Sequence, residues 1–242
     1  MVTVSCTGAE SPGLDHALIN RLSLDRRVSR THIGFMGCHG ALNALAVADA
    51  FVRSDPGSVV LVVCCELCSL HYQTGPVARD QIIANAIFAD GASCAVVGSR
   101  GVGPALRGFS SRVFEGTAEL MRWSIGDNGF MMRLSARVPV MLRRVIASWI
   151  DEWLATCGLE RAQIARWCLH PGGRDILECI EQGLDLDSAA TSSSREVYRR
   201  RGNMSSGTVL WVIQDAIDRG ERGPMVAISF GPGLCGEALL LD

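Results

Sequence analysis

A strong charge of one sign is missing from this 242-residue chain. Its formal net charge is -2 with both signs scattered, so it has no basic footprint for nucleic acid. Long apolar runs are missing too. The longest, such as Ser-Val-Val-Leu-Val-Val-Cys-Cys at 58–65, are strand-length, far short of the ~20 residues that cross a bilayer. Met-Val-Thr-Val-Ser-Cys at the start has neither the charged opening nor the apolar stretch of a signal peptide. The ten cysteines follow no disulfide-scaffold spacing, which points to a reducing compartment. The expectation is a cytoplasmic protein with no membrane and no nucleic-acid partner. What the chain does have is apolar mass. At 48% hydrophobic it can bury a large core, as one large domain or two intimately packed halves.

The chemistry centres on residues 34–43, GFMGCHGALN. Thr31-His32-Ile33 leads in from an arginine-rich loop. Residues 41–52 read as a helix whose polar members are Asn43 and Asp49, so it is apolar nearly all round and belongs in a core. Cys38 therefore stands where a glycine-flanked loop enters a buried helix. Free backbone N–H groups and the positive end of the helix dipole favour a thiolate there. The glycines leave room for a substrate to approach the backbone. On position alone, Cys38 is either a nucleophile or a small buried cysteine.

Taken in order, the chain gives a strand at 2–6 and a helix over 11–22 opened by Ser11-Pro12. The Cys38 helix follows and stops at Ser54-Asp55-Pro56-Gly57. The β-branched run 58–65 predicts a strand buried on both faces. A helix is expected over 79–87, a turn at 88–92 and a strand over 93–97. Strands are expected across 104–134, then a long amphipathic helix after Pro139 carrying Leu142, Ile146, Trp149 and Trp153. A strand at 166–169 ends in His170-Pro171-Gly172-Gly173, and a helix covers 176–184. A serine- and arginine-rich loop leads to 202–207. An apolar helix then runs through Ile217, and strands over 225–230 and 237–241 flank Gly231-Pro232-Gly233.

This order repeats. Asn203 lies 165 residues after Cys38. The same offset lays 167–170 on 2–5, 176–184 on 11–19 and 225–230 on 60–65. The pattern predicts an α/β fold of two pseudo-symmetric halves, 1–100 and 101–242, with buried helices sandwiched between mixed sheets. Residues from about 103 to 166 precede the second unit's histidine strand, while nothing precedes Val2 in the first. The first half therefore reads as incomplete.

In an α/β fold, strand ends and helix N-termini meet on one face, where sites form. Cys38, His170 and Asn203 converging there suit acyl transfer. Histidine beside the thiol stabilises a thiolate that attacks a thioester, and histidine and asparagine N–H donors hold the developing enolate or oxyanion. Five segments occur in order: GFMGCHGALN at 34–43, FADGA at 88–92, HPGG at 170–173, GNMSS at 202–206 and FGPG at 230–233. Through them the chain resembles the type III polyketide synthases (chalcone and stilbene synthases) of the thiolase fold. The resemblance spans nearly the whole chain, and HPGG together with GNMSS is its most specific part.

The resemblance implies a thiolase-like acyltransferase. Cys38 would hold the starter acyl group, and His170 and Asn203 would support decarboxylation of malonyl-CoA and its condensation before the product cyclises. Coenzyme A thioesters are then substrates, and no cofactor is implied. Phe88 matches a gatekeeper between a coenzyme A tunnel and the cavity. Met132 falls at the second gatekeeper position, where plant members have phenylalanine. Cys6, Cys68, His71 and Ser205 match cavity-lining positions, and Gly231, Pro232 and Gly233 the cavity wall. A homodimer is implied, as is a front portion that family members carry before the position of Met1. Two other readings stay open. One is an enzyme like ketoacyl-acyl carrier protein synthase III, and the other a non-catalytic truncated thiolase-fold protein that binds a partner.

Other candidates have plainer readings. Cys65, Cys68 and His71 lack the fourth ligand and second pair of a zinc site, so no metal is expected. His39 adjoins Cys38 but points elsewhere on the helix, leaving His170 as the base. His16 is read as a surface or packing residue and Arg199-Arg200-Arg201 as a solvated face. Trp149 and Trp153 are read as core or dimer interface.

Overall fold

The computed structural model describes residues 1–74, 78–127, 129–220 and 223–242. One sheet is built from β1 (Val2–Ser5), β2 (Thr31–Gly34), β3 (Val59–Glu66) and β4 (Gly91–Gly98), in the order β2-β1-β3-β4. β1 runs parallel to both neighbours, and β4 closes the edge antiparallel to β3. Next come β5 (Leu106–Val113) and a separate hairpin of β6 (Met121–Gly126) and β7 (Gly129–Leu134). β5 joins β8 (Arg166–Leu169), β9 (Met225–Gly231) and β10 (Cys235–Leu241) in a second sheet of order β5-β10-β9-β8. Here β8 is parallel to β9, and β10 is antiparallel to both β9 and β5. The trio β1, β3, β4 and the trio β8, β9, β10 thus share one pattern.

Two helices lie between the sheets, α2 (Gly40–Ser54) and α7 (Thr208–Asp218). Small residues let them fit: Ala41, Ala44, Ala48 and Ala216 are fully buried. Their Leu42, Leu45, Val209 and Val212 share one core with Val4 and Val62 of the first sheet and Ala227 and Leu239 of the second. The other face of the second sheet is covered by α4 (Val138–Thr156) and α5 (Arg174–Leu184). Leu142, Ile146, Trp149 and Ile180 pack there against Ile228 and Leu240. The remaining helices are α1 (Leu14–Arg21), α3 (Arg79–Ile87) and α6 (Ser192–Arg201). Among the described residues no helix is long and apolar enough to cross a membrane.

Two expectations need correction. The strand expected at 58–65 to be buried on both faces is covered on one. Val60, Val62 and Cys64 are buried toward α2, whereas Val59 is 72% exposed and Leu61, Val63 and Cys65 are half-buried. β-branched residues fit a half-buried pleated surface as well as a doubly covered one. The expected serine- and arginine-rich loop contains α6. Ser194 is buried and its Oγ accepts the Leu169 N–H at 3.0 Å, while Glu196 pairs with Arg199 and Arg200 one turn on. Within the strand region expected across 104–134, Asn128 lies outside the described residues. Trp149 is core, its Nε1–H donating to Ser110 Oγ at 2.9 Å.

Candidate active site

Cys38 sits in a 3-10 turn, Gly37–His39, that runs straight into α2. The turn is held from behind. Gly37 has a φ of +71°, and a Cβ there would come within 2.3 Å of Pro232 Cδ. A Cβ on Gly231 would meet His39 Cδ2 at 2.4 Å and the Met36 carbonyl at 2.6 Å. The Cys38 loop and the Gly231-Pro232 turn interlock with no space for a side chain on either glycine. Cys6 Sγ accepts the Gly37 N–H at 3.0 Å. His39 is turned toward α2: its Nδ1 lies 2.7 Å from Asn43 Oδ1, which can only accept, so Nδ1 carries the proton.

Asn203 arrives from the second half. Ala89 N–H donates to its carbonyl at 2.8 Å, and its own N–H donates to Ile87 O at 3.1 Å. The same short parallel bridge thereby places Phe88. Asn203 Oδ1 accepts the Ser205 N–H at 2.9 Å, which orients the amide so that Nδ2 is its donor. Cys38 and Asn203 meet: Sγ is 3.9 Å from Oδ1, and equally 3.9 Å from Ser205 Oγ. His170 follows β8, anchored by its N–H to Ile228 O at 2.8 Å. It is 3% exposed, and neither ring nitrogen has a hydrogen-bond partner. A 30 Å³ cavity is lined by Cys38, Phe88, Met132, His170, Asn203 and Phe230.

Burial governs both ionisable groups. It pushes the Cys38 thiol up to about 12; the Ser205 and Asn203 contacts oppose this, and the charge of Glu66 adds to it. Burial, helped by the neighbouring His39, draws His170 down to about 3. The helix start that favours a thiolate on position alone is outweighed by desolvation. Both directions favour the uncharged forms, a thiol and an imidazole with one ring nitrogen a donor and the other an acceptor. Buried polar atoms without partners are rare, and a site awaiting a reacting group is one place they occur.

The other sequence candidates separate. Cys6 borders Gly37, and Gly231 and Pro232 buttress the loop, whereas Gly233 faces away, its N–H donating to Met121 O at 3.0 Å and its carbonyl accepting the Thr117 hydroxyl at 3.0 Å; none of the four lines the three cavities. Cys68 and His71 line a second space of 170 Å³ that shares Phe88 and Met132 with the first. Both His71 nitrogens are spent: Nε2–H donates to Thr7 O at 2.7 Å and Nδ1 accepts the Phe130 N–H at 3.2 Å. An open groove of 760 Å³ beyond also touches Met132, which therefore borders all three spaces.

Sequence reasoning does not single out Glu66, Trp123 or Phe130. Glu66 is fully buried at the inner end of β3. It accepts the Cys6 N–H at 2.9 Å, the Thr7 hydroxyl at 2.7 Å and the Ser206 hydroxyl, fastening three segments around Cys38. A carboxylate closing an apolar strand was the available signal. Trp123 and Phe130, on the β6–β7 hairpin, wall the 170 Å³ space, and only the fold puts them there. Among the described residues no group of three or more His, Cys, Asp and Glu is placed to hold a metal.

Paired sheets around two buried helices, with the helix starts facing each other, define a thiolase-like protein. The chain belongs to the chalcone and stilbene synthase family: residues 1–101 match the N-terminal domain of chalcone and stilbene synthases and residues 108–242 their C-terminal domain. It is 32% identical over 253 residues to the alpha-pyrone synthesis polyketide synthase-like Pks18 of Mycobacterium tuberculosis, covering 100% of this chain and 64% of that protein. It is also 32% identical over 251 residues to the 1,3,6,8-tetrahydroxynaphthalene synthase of Streptomyces peucetius, covering 100% of this chain and 66% of that one. PKS-I from the brown alga Ectocarpus siliculosus superposes with a TM-score of 0.95 at 36% identity, covering 100% of this chain and 67% of that one. The chain thus spans about two thirds of the length of these relatives.

Proposed function

We propose that the chain carries the condensing chemistry of a type III polyketide synthase, acting on coenzyme A thioesters. The observation that carries this is the meeting of Cys38 Sγ with Asn203, 3.9 Å apart across 165 residues, in one cavity with an unpartnered His170. In the loading step neutral His170 takes the Cys38 proton as the sulfur attacks the starter thioester. The bond from carbonyl carbon to Cys38 forms, the bond to the coenzyme A sulfur breaks, and the departing thiolate recovers the proton. Malonyl-CoA then loses carbon dioxide, and the enolate oxygen is held by an imidazole N–H and Asn203 Nδ2–H. Its carbon attacks the Cys38 thioester, forming the new C–C bond and releasing the Cys38 thiolate. The extended chain finally cyclises.

The two halves, 1–100 and 101–242, are read as supplying the nucleophile and the His–Asn pair respectively. Phe88 and Met132 are read as the gate between cavities, supported by their place on the shared wall. Cys68 and His71 are read as lining the substrate cavity, and Ser205 as flanking the reacting sulfur. The proposal includes a homodimer in the cytoplasm. Radiolabelled malonyl-CoA supplied with a panel of acyl-CoA starters tests it. A cyclised labelled product that disappears in Cys38→Ala is expected. Undiminished product from Cys38→Ala, or strict dependence on an acyl carrier protein, would overturn it.

A further inference from the structure

Among the described residues two side-chain atoms stand at hydrogen-bonding reach of Cys38 Sγ, Asn203 Oδ1 and Ser205 Oγ, each 3.9 Å away. They differ in what they offer. Asn203 Oδ1 is an acceptor, held toward the site because it also takes the Ser205 N–H at 2.9 Å. It suits a thiol and gives no proton to a thiolate. A hydroxyl suits both, since it carries one O–H donor and two acceptor lone pairs, and its hydrogen rotates. Among the described residues the Ser205 hydroxyl has Cys38 as its partner and no other.

A constrained backbone holds that hydroxyl in place. Ser205 opens the short turn Ser205–Gly207 that leads into α7, and it is 1% exposed. Its φ is +47°, a left-handed conformation that residues with a side chain rarely adopt. Glycine adopts this conformation freely, yet the chain carries a hydroxyl here. The Ser205 N–H is engaged by Asn203, and its carbonyl accepts the Thr208 hydroxyl at 3.1 Å. The next residue, Ser206, gives its own hydroxyl to buried Glu66. A Cβ on Gly40 would lie 3.5 Å from Ser206 Cβ, so this turn and the Cys38 turn press on each other. Residues held in sparsely populated conformations collect at active sites, where their surroundings over-determine them.

The proposed chemistry needs a donor at that sulfur twice. In loading, His170 removes the Cys38 proton and negative charge develops on Sγ. In condensation the carbon–sulfur bond breaks and the Cys38 thiolate departs. Burial pushes the thiol up to about 12, and the Ser205 contact is the largest of the effects that oppose it. We propose that Ser205 is a further catalytic residue, whose hydroxyl accepts the Cys38 S–H and turns to donate its O–H whenever charge develops on the sulfur. No bond to Ser205 forms or breaks, and its proton stays on oxygen. The present 3.9 Å is the outer reach of such a bond, and catalytic hydrogen bonds are often long until the reacting species forms. The inference rests on the proposed role of Cys38 and deepens it.

The test follows alkylation of Cys38 by iodoacetamide from neutral to mildly alkaline pH, read on its peptide by mass spectrometry, beside loading from butanoyl-CoA. Wild type, Ser205→Ala and Ser205→Gly are compared. The other ionisable groups around Cys38 are the same in all three: His170 after β8, Glu66 in β3, His39 on the same turn, Cys6 after β1 and Cys68 after β3. Both variants should alkylate about tenfold slower than wild type across the range, and load about tenfold slower. A smaller side chain opens room beside the sulfur, so slower alkylation reports lost thiolate and not lost access. Wild-type rates in either variant would overturn the inference. So would recovery in Ser205→Gly of what Ser205→Ala loses, which would assign the effect to the backbone. Should the alanine variant fold poorly, the glycine variant, which suits the left-handed φ, carries the comparison. A wild-type Cys38 that stays unalkylated would also reject the inference. Slow alkylation in both variants with no loading even in the wild type would sustain Ser205 as the donor to sulfur and sink Cys38 as the acyl acceptor.

Discussion

The two sheets have the same strand pattern and very different cover. In the second sheet β9 is buried at every position and β10 at nearly every one, with α2 and α7 on one face and α4 and α5 on the other. In the first sheet β3 and β4 alternate. Val60, Val62 and Cys64 face the helices, while Val59, Leu61, Val63 and Cys65 pair with Gly98, Val96, Cys94 and Ala92 on a face where Val96 is 69% exposed. The second sheet also has β5 along β10, while the corresponding edge of β4 has no strand partner among the described residues. Yet both sheets present a helix start to the site, Cys38 from one and Asn203 from the other. Placing the site depends on the inner faces, which are alike. Stability and solubility depend on the outer faces, which are not.

If the halves are chemically unequal despite their symmetry, substitutions at paired positions must differ. Cys38→Ala is expected to abolish covalent loading, whereas Asn203→Ala keeps the nucleophile and loses one donor, lowering condensation by about 10²–10³-fold. Intact-mass detection of the acyl-enzyme with product assay separates the two. Equal loss of loading in both would mean that Asn203 serves the thiol and not the enolate.

A second expectation compares cores. Ile228 in β9 and Val63 in β3 are related by the 165-residue offset, but Ile228 is fully buried and Val63 half-buried. Ile228→Ala should cost about 2–5 kcal/mol and Val63→Ala less than about 1 kcal/mol, read by urea denaturation. Similar costs would show that the first sheet's outer face is covered in solution.

Cys38 and His170 carry opposite titrations. His170 is held below its ordinary 6.5, so as pH falls the unfolded chain takes the proton first; stability present above 6.5 is lost on the way down to about 3. Cys38 is held above its ordinary 9.0, so stability present below that pH is lost as pH rises toward 12. His170→Gln should make the acid limb of a melting-temperature profile shallower and Cys38→Ser the alkaline limb, each in part, because His39 is also held low and burial also raises the thiols of Cys6, Cys64, Cys68 and Cys168. A variant that lowers stability equally at every pH would assign these residues to packing alone.

How much of this was legible differs by residue. The helix from 41 to 52 is legible because Ala41, Leu42, Ala44, Leu45 and Ala48 leave it apolar nearly all round, and the 165-residue offset of the repeat by itself pairs Asn203 with Cys38. α6 could not be read, because Ser192 to Ser194 look like a loop until Ser194 is seen to accept the Leu169 N–H from the adjoining strand. The cover on β3 was equally hidden: the run Val59 to Cys65 has no period, and the same apolar sequence suits one cover or two. The burial that raises the Cys38 thiol is hidden for a different reason. Loop and helix position are local, while burial depends on distant segments such as those of Phe88, Met132 and Phe230, which line one cavity with Cys38. Trp123 is the extreme case, since its role depends wholly on where a hairpin packs.

The smallest effect on folding stability, and the most direct probe of the outer face, comes from Val59 and Val96. Both are largely exposed, at 72% and 69%, on neighbouring strands of one face. Replacing either by threonine removes little buried area and keeps a β-branched side chain, so stability should change by less than about 0.5 kcal/mol. Self-association should respond far more. A β4 edge with no strand partner among the described residues, beside exposed valines, is a template for pairing with another chain. The double variant Val59→Lys/Val96→Lys is therefore expected to run closer to monodisperse than the parent chain by size-exclusion chromatography with light scattering, with an unchanged urea midpoint. A parent chain that is already monodisperse, or a double variant that unfolds at lower urea, would show that this face is covered in solution and that the contrast between the sheets is smaller than their burial suggests.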